Sequence, residues 1–397
     1  MDTPNIPKML AFCIRDGRLY WVENGVEKEH QSEFIQGKIA DRLKDQEAQA
    51  WIRRPRESAG MSPWSHQNMV WGQRASRTGE WRYRFTHVVR LSDDVVLYSV
   101  TFNDVTGLFK YTISENYEQR IFHRNDLALY GLAVAPEAKK FATAMQTGEH
   151  EIHLVQLDER GRVESQITAG ESHDLTPSFT PDGTALLYSS AGFVTADDGT
   201  IYDLAAHGIS RLDLASSKIT EIFADPAADL LQPRQLPDGS ILAIRRPYKS
   251  RRRPGLWTEI LHIVLFPFFL LGAIWHFLNA FIRMFNRQAT VTAGAEIREP
   301  PRKFVTVLGE TIDVAKVKRR GGDLTLVPGT WELIRIAPDK TVEVLRRHIC
   351  GYDLIGDRII ATDGFRIFPI ADGDVLHRSS LIEGFCIIRE GRVANAG

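Results

Sequence analysis

Among the twelve histidines of this chain, His150 and His153 form the one close pair, and His173 stands beside Asp174. Two imidazoles three residues apart, or an imidazole with a neighbouring carboxylate, could contribute to a metal site. A structural zinc site takes four protein ligands and a catalytic one three, and nothing in the spacing says which other histidines would converge. A polar group at the start of a strand is the simpler reading of His173. The stretch TADDGTIYD at 195–203 places Asp197, Asp198, Gly199 and Asp203 much as a calcium loop would. It lacks the further acidic positions and the closing Glu of such a loop, so it reads as a solvated hairpin turn. The chain has no GxSxG elbow, no phosphate-binding GxxxxGK[ST] loop and no HExxH helix. The sequence therefore assigns no catalytic, cofactor-binding or metal-ligating residue.

A second concentration of chemistry lies at 51–84, where Trp51, Trp64, Trp71 and Trp81 alternate with seven arginines against Glu57 and Glu80. Aromatic rings interleaved with guanidinium groups can stack bases or grip phosphates. No nucleic-acid module surrounds them, so packed tryptophans and solvated arginines in an irregular stretch explain the segment without a nucleic-acid partner.

The largest departure from ordinary composition is the run ILHIVLFPFFLLGAIWHFLNAFI at 260–282, which carries no formal charge over 23 residues. About 20 apolar residues span a bilayer's hydrocarbon core, so the run implies membrane contact. Lys249, Arg251, Arg252 and Arg253 precede it and Arg283 and Arg287 follow, against the single acidic Glu259. Basic flanks at both ends suit an anionic leaflet and hold both ends on the cytoplasmic side. The lipid-facing candidates are Trp257, Phe266, Phe268, Phe269, Leu270, Trp275, Phe277 and Phe281. Pro267 removes an amide donor and can break the helix there, which permits a re-entrant hairpin. His276 and Asn279 fall with Arg283 on a polar stripe that faces headgroups or a partner helix.

The elements that would carry these groups are strands. Segments rich in Val, Ile, Leu, Tyr and Phe alternate with Asp-Gly and Pro-Asp-Gly turns through most of the chain. The clearest unit is HDLTPSFTPDGTALLYSS at 173–190, turning at Pro181, Asp182 and Gly183, where Pro presets φ, Asp bonds its own backbone and Gly accepts positive φ. A weaker copy is LQPRQLPDGSILAI at 231–244, and eroded copies are VVRLSDDVVLYSV at 88–100 and GLAVAPEAKKFATA at 131–144. TPSFTPDGTALLYSS resembles the PD40 repeat of TolB-type β-propellers, a class related to the propellers of prolyl oligopeptidases. The resemblance implies an all-β fold, a six- or seven-bladed propeller interrupted by a hydrophobic α-helical membrane-anchor insertion. It implies no activity, since the hydrolase domain of the peptidases has no room in this chain.

On this reading residues 1–246 hold the first part of the propeller, with the Arg/Trp-rich stretch at 31–84 as an irregular part. Residues 247–300 are the basic-flanked insertion, and residues 301–397 the last blades. The hairpin CIRDGRLYWVENGVEKEH at 13–30 is placed to pair with the final strands and close the ring. If strands on both sides of the run share one propeller, the run must enter and return or lie flat. A single span with a β-domain across the membrane, and a buried or oligomer-forming helix, are the competing placements. The near-zero net charge of −1 selects no partner. No N-terminal export signal is apparent, and three isolated cysteines, Cys13, Cys350 and Cys386, suit a reducing compartment. These features together point to a non-enzymatic scaffold at the cytoplasmic face of a membrane, with protein partners, anionic lipid and no cofactor. The alternative is a channel-site enzyme acting on a lipid-linked or carbohydrate substrate.

Overall fold

The computed structural model describes residues 9–23, 25–52, 83–102, 105–124, 129–136, 140–148, 150–195, 200–249, 304–319 and 324–390. Six four-stranded antiparallel units follow one another along the chain. The first contains β1 (Met9–Arg15), β2 (Arg18–Glu23) and β3 (Val26–Glu29), and leads into helix α1 (Glu33–Ile52). The second is β4 (Tyr83–Arg90), β5 (Val95–Phe102), β6 (Val105–Thr112) and β7 (Tyr117–Arg124). The third is β8 (Leu129–Val134), β9 (Phe141–Gln146), β10 (Ile152–Leu157) and β11 (Val163–Gln166). The fourth is β12 (Ser172–Phe179), β13 (Ala185–Thr195), β15 (Gly208–Asp213) and β16 (Ile219–Phe223), with β14 (Ile201–Leu204) folded back on the end of β13 as a flap.

The fifth unit begins with β17 (Ala228–Gln235) and β18 (Ile241–Pro247). A hairpin of β19 (Phe304–Val307) and β20 (Glu310–Asp313) and a short helix α2 (Val314–Arg319) then intervene before β21 (Glu332–Ile336) and β22 (Val342–Arg347) complete it. The sixth is β23 (Gly351–Ile355), β24 (Arg358–Thr362), β25 (Arg366–Pro369) and β26 (His377–Arg378). The last strand, β27 (Gly384–Glu390), pairs with β1 and supplies the inner strand of the first unit.

The innermost strands form a closed ring, with β27 against β4, β4 against β8, β8 against β12, β12 against β17, and β23 against β27. The remaining seam is joined by Arg234 Nη1 to Asp353 Oδ1 at 2.6 Å and by the Tyr352 hydroxyl, which donates to Gln232 O at 2.5 Å. Six sheets radiating from a closed ring are a six-bladed β-propeller, and a seventh blade has no strands among the described residues. Strand-strand closure by β1 and β27 leaves no open seam where the chain ends meet.

The turns follow the local chemistry of their residues. Gly183 has φ 70°, and Asp182 accepts hydrogen bonds from Thr180 Oγ1 at 2.5 Å and from Thr184 N at 3.1 Å. The Thr180 hydroxyl, with those donors at Thr184, lowers the Asp182 carboxyl to about 2. Asp238 and Gly239 repeat the arrangement in the fifth blade, with Gly239 at φ 82° and Ser240 N donating to Asp238 at 3.0 Å. Both Pro-Asp-Gly turns join the first strand of a blade to its second.

Two segments depart from the expected strands. The Arg/Trp-rich stretch opens with α1, a helix of 20 residues, rather than an irregular blade. Ser32 caps it, its hydroxyl accepting from Ile35 N at 3.4 Å, and Phe34 and Ile35 pack with Phe85, Phe102 and Phe109 of the second blade. Glu118 of β7 pins the helix start by accepting from Ser32 Oγ at 3.0 Å and Phe34 N at 3.2 Å. Blade strands also resume only at Glu332, so the excursion from the fifth blade runs past 300, to 331. Its returning part is core rather than loop. Val305, Val307, Val314, Leu326, Val327 and Trp331 are buried against Leu242, Ile244, Tyr352, Phe365 and Phe368 between the fifth and sixth blades.

Candidate interaction face

Strand direction assigns every connection to one of two ends of the propeller. First-to-second and third-to-fourth strand turns lie at one end, here called the turn end; second-to-third turns and blade-to-blade crossings lie at the other, the connection end. The turn end carries tight turns such as those at Gly183 and Gly239. All three long excursions leave the connection end: 30–82 between the first and second blades, the flap of the fourth blade, and 248–331 within the fifth. The entry to β4 is held at this end by Phe85 N donating to Gly17 O at 2.9 Å and by Arg84 Nη2 donating to Glu383 Oε1 at 3.1 Å.

The mouth of the long insertion is fastened at the same place where it opens. Strands β18 and β21 lie on either side of it and pair in register, Arg245 opposite Glu332 and Ile244 opposite Leu333. One residue further on, Arg246 is nearly buried. Its Nε donates to Asp229 Oδ2 at 3.0 Å, its Nη1 donates to Leu308 O at 2.8 Å, and its guanidinium lies over the Trp331 ring at 5.3 Å. Asp229 also accepts from His207 N and faces His207 Nδ1, each at 3.0 Å. Burial pulls the Asp229 carboxyl upward, but the His207 hydrogen bonds and the Arg246 charge outweigh it and hold it below the usual 3.8. Tyr248 donates through its hydroxyl to Leu204 O of the flap, and Lys249 pairs with Glu310 of the returning hairpin. Exit, flap and return are thereby tied in one cluster, and the chain leaves at Lys249 and re-enters at Phe304 on one side of the molecule.

Asp229 belongs to a repeated device. Asp174, Asp229 and Asp353 each stand second or third in an inner strand, each is buried, and each bonds the preceding blade. Asp174 lies 3.5 Å from His153 Nδ1 and accepts from Ser190 Oγ at 2.6 Å. Asp353 accepts from Arg234 and, at 2.8 Å, from Ile387 N of the next blade. His153 is thus an inter-blade partner, and His173 meets His150 O through Nε2 at 2.6 Å. Among the described residues no three His, Cys, Asp or Glu side chains are placed to hold a metal. The flap explains part of the calcium-like stretch: Thr195 pairs with Ile201 as a hairpin requires, while 196–199 lie outside the described residues. The three cysteines are free and buried.

The membrane-contact candidates Arg251, Arg252, Arg253, Trp257, Phe266, Pro267, Phe268, Phe269, Leu270, Trp275, Phe277, Phe281, Arg283 and Arg287, with His276 and Asn279, lie outside the described residues. So do the arginines and tryptophans at 53–82. Among the described residues no helix is long and apolar enough to cross a membrane. What the sequence did not flag is the fastening set Asp229, Arg246, His207, Glu310 and Trp331. Its one sequence signal is the pair Arg245-Arg246 after the apolar residues ILAI, where solvent exposure is the usual fate of Arg.

No family model matches the sequence, and no curated protein matches it in sequence. Among solved structures the chain is similar to TolB from Acinetobacter baumannii, with 10% identity and a TM-score of 0.46 over 96% of this chain and 66% of that one, just under two thirds of its length. It is also similar to a chain of a nidogen/laminin complex, with 8% identity and a TM-score of 0.47 over 96% of this chain and 98% of that one. A third likeness is to an oligogalacturonate lyase solved with manganese, at 11% identity and a TM-score of 0.37, covering 91% and 72% of the two chains. At this distance none of them speaks to activity, and the propeller rests on the chain's own sheets.

Proposed function

We propose that this chain is a membrane-anchored scaffold: a rigid six-bladed propeller held by its apolar run against an anionic, cytoplasmic leaflet and offering its blade surfaces to protein partners. The observation that carries this reading is the closed mouth of the insertion, where Arg245 pairs with Glu332 and Arg246 reaches Leu308. A run of 23 uncharged residues that leaves and re-enters one sheet must return to the side it left, which favours a re-entrant or interfacial anchor over a single span. Trp257, Phe266, Phe268, Phe269, Leu270, Trp275, Phe277 and Phe281 then sit in lipid around the break at Pro267. Arg251, Arg252, Arg253, Arg283 and Arg287 meet headgroups, each contributing about 1 kcal/mol near an anionic surface. His276 and Asn279 face a partner.

The test uses the full chain with a protease-cleavable tag at each terminus, reconstituted with vesicles containing phosphatidylserine. Flotation with the vesicles, with both tags cut from the same side, is the expected result. A chain that stays at the bottom of the gradient, or tags protected on opposite sides, overturns the reading.

A further inference from the structure

We infer that the returning element of the insertion, hairpin β19–β20 with helix α2, is itself a lipid-contacting collar that lies on an anionic bilayer surface beside the anchor. The inference rests on the membrane reading above and names a second contact for it. Burial along β19 alternates exposed, buried, exposed, buried. Val305 and Val307 enter the core, 3% and 4% exposed, and the outward face carries Phe304 and Thr306. An outward strand position beside solvent ordinarily takes a polar residue, yet Phe304 is 54% exposed there. It is also the point at which the chain re-enters after the apolar run.

The charges around Phe304 suit headgroups. Phe304 pairs with Asp313, whose carboxylate is spent on capping α2 through Ala315 N at 3.1 Å and Lys316 N at 3.2 Å. Glu310, the other acidic group of the element, is matched by Lys249. That leaves Lys316, exposed on α2 within a turn of Phe304's strand partner. An exposed aromatic ring and an exposed cation on one element, at the re-entry point of an apolar anchor, match the interface of a bilayer, where the ring sits at headgroup depth and the ammonium group meets phosphate and carboxylate. The core face of the element fixes its orientation, because Val305, Val307 and Val314 must stay inside.

The native thiols make a clean test possible. Cys13, Cys350 and Cys386 are buried, and burial raises all three well above the ordinary thiol value, so an introduced surface cysteine takes a polarity-sensitive dye alone. Full-length Phe304→Cys and, at the turn end, Ile219→Cys are labelled and mixed with vesicles of phosphatidylcholine with or without phosphatidylserine, some carrying brominated acyl chains. The dye at 304 shifts to the blue and is quenched by bromine, while the dye at 219 does neither. Lys316→Gln lowers partitioning about five-fold on phosphatidylserine vesicles, the equivalent of about 1 kcal/mol, and leaves pure phosphatidylcholine unaffected. Flotation of each labelled chain is read in the same sample. A chain that floats with an unshifted dye at 304, or with equal quenching at 219, overturns the collar and leaves the anchor standing. A chain that does not float overturns both.

Discussion

Buried hydroxyls and carboxylates under the inner strands hold the ring at the scale of single residues. Ser99, Thr143 and Ser189 are each fully buried on a second strand, and each bonds the bulged inner strand beside it: Ser99 to Thr86 at 2.7 Å, Thr143 to Gly131 O at 2.5 Å, Ser189 to Thr176 at 3.0 Å. The serines of VVLYSV and ALLYSS are thus structural for a reason that the repeat alone does not disclose. Ser189→Ala leaves the Thr176 hydroxyl short of a partner and costs about 1–2 kcal/mol in denaturant midpoint. Asp229→Ala is more severe, because Arg246 keeps a buried charge with its main partner gone; the expected loss is about 3–5 kcal/mol by chemical denaturation. Two of the groups that contribute to the acid limb of stability sit on inner strands. Burial pushes His87 down from 6.5 to about 4, so its contribution is complete above pH 6.5 and is lost as pH falls toward 4. Asp229, held below 3.8, contributes above that pH and loses its contribution only at more acid values. Thermal melts of His87→Gln show a shallower decline between pH 6.5 and 4 and keep the later one; an unchanged profile refutes the assignment to His87.

At the scale of elements, the turn-defined strands were legible and the excursions were not, for one physical reason. Pro181-Asp182-Gly183 folds through bonds within five residues, so its chemistry is written locally. Arg246 meets Leu308 across 62 residues, and no local pattern announces that contact. Helix α1 has a local signal in Ser32 followed by Glu33 and a run of good helix formers, which the tryptophans and arginines downstream of it mask in composition. The returning part of the insertion falls within 301–397, the range expected to hold the last blades, yet among the described residues its two strands pair only with each other. Its seat on the sixth blade depends on Gly364, which has φ 93° and whose added Cβ would stand 2.3 Å from Leu326 Cβ. Gly364→Ala meets both the positive φ and the overlap, and is expected to cost about 1–3 kcal/mol in a urea midpoint. A neutral result would show that Leu326 is not packed where the fold puts it.

For the whole molecule, the division of labour between the two ends has a direct consequence for what can be removed. The chain's outermost described residues, Met9 and Glu390, face each other in the first blade at the turn end, and β27 supplies Cys386, Ile387 and Ile388 to two separate parts of the core. Ending the chain at Glu383 strips the first blade of its inner strand and reopens the ring, so no cooperative melt is expected. The insertion is different, because Lys249 is tied to Glu310 of the returning hairpin and β18 pairs directly with β21 across its mouth. Replacing residues 250–303 with about eight glycines and serines shortens the closed loop almost seven-fold, which by loop entropy stabilises the folded chain by about 1.7 kcal/mol rather than weakening it. The shortened chain should melt at or above the temperature of the full chain while losing its flotation with phosphatidylserine vesicles, apart from the weak contact of Phe304 and Lys316. If it fails to melt cooperatively, the insertion is part of the propeller's own core. If it folds and still floats as strongly as the full chain, the anchor lies elsewhere, and the concentration of long excursions at the connection end must be explained by a protein partner instead of lipid.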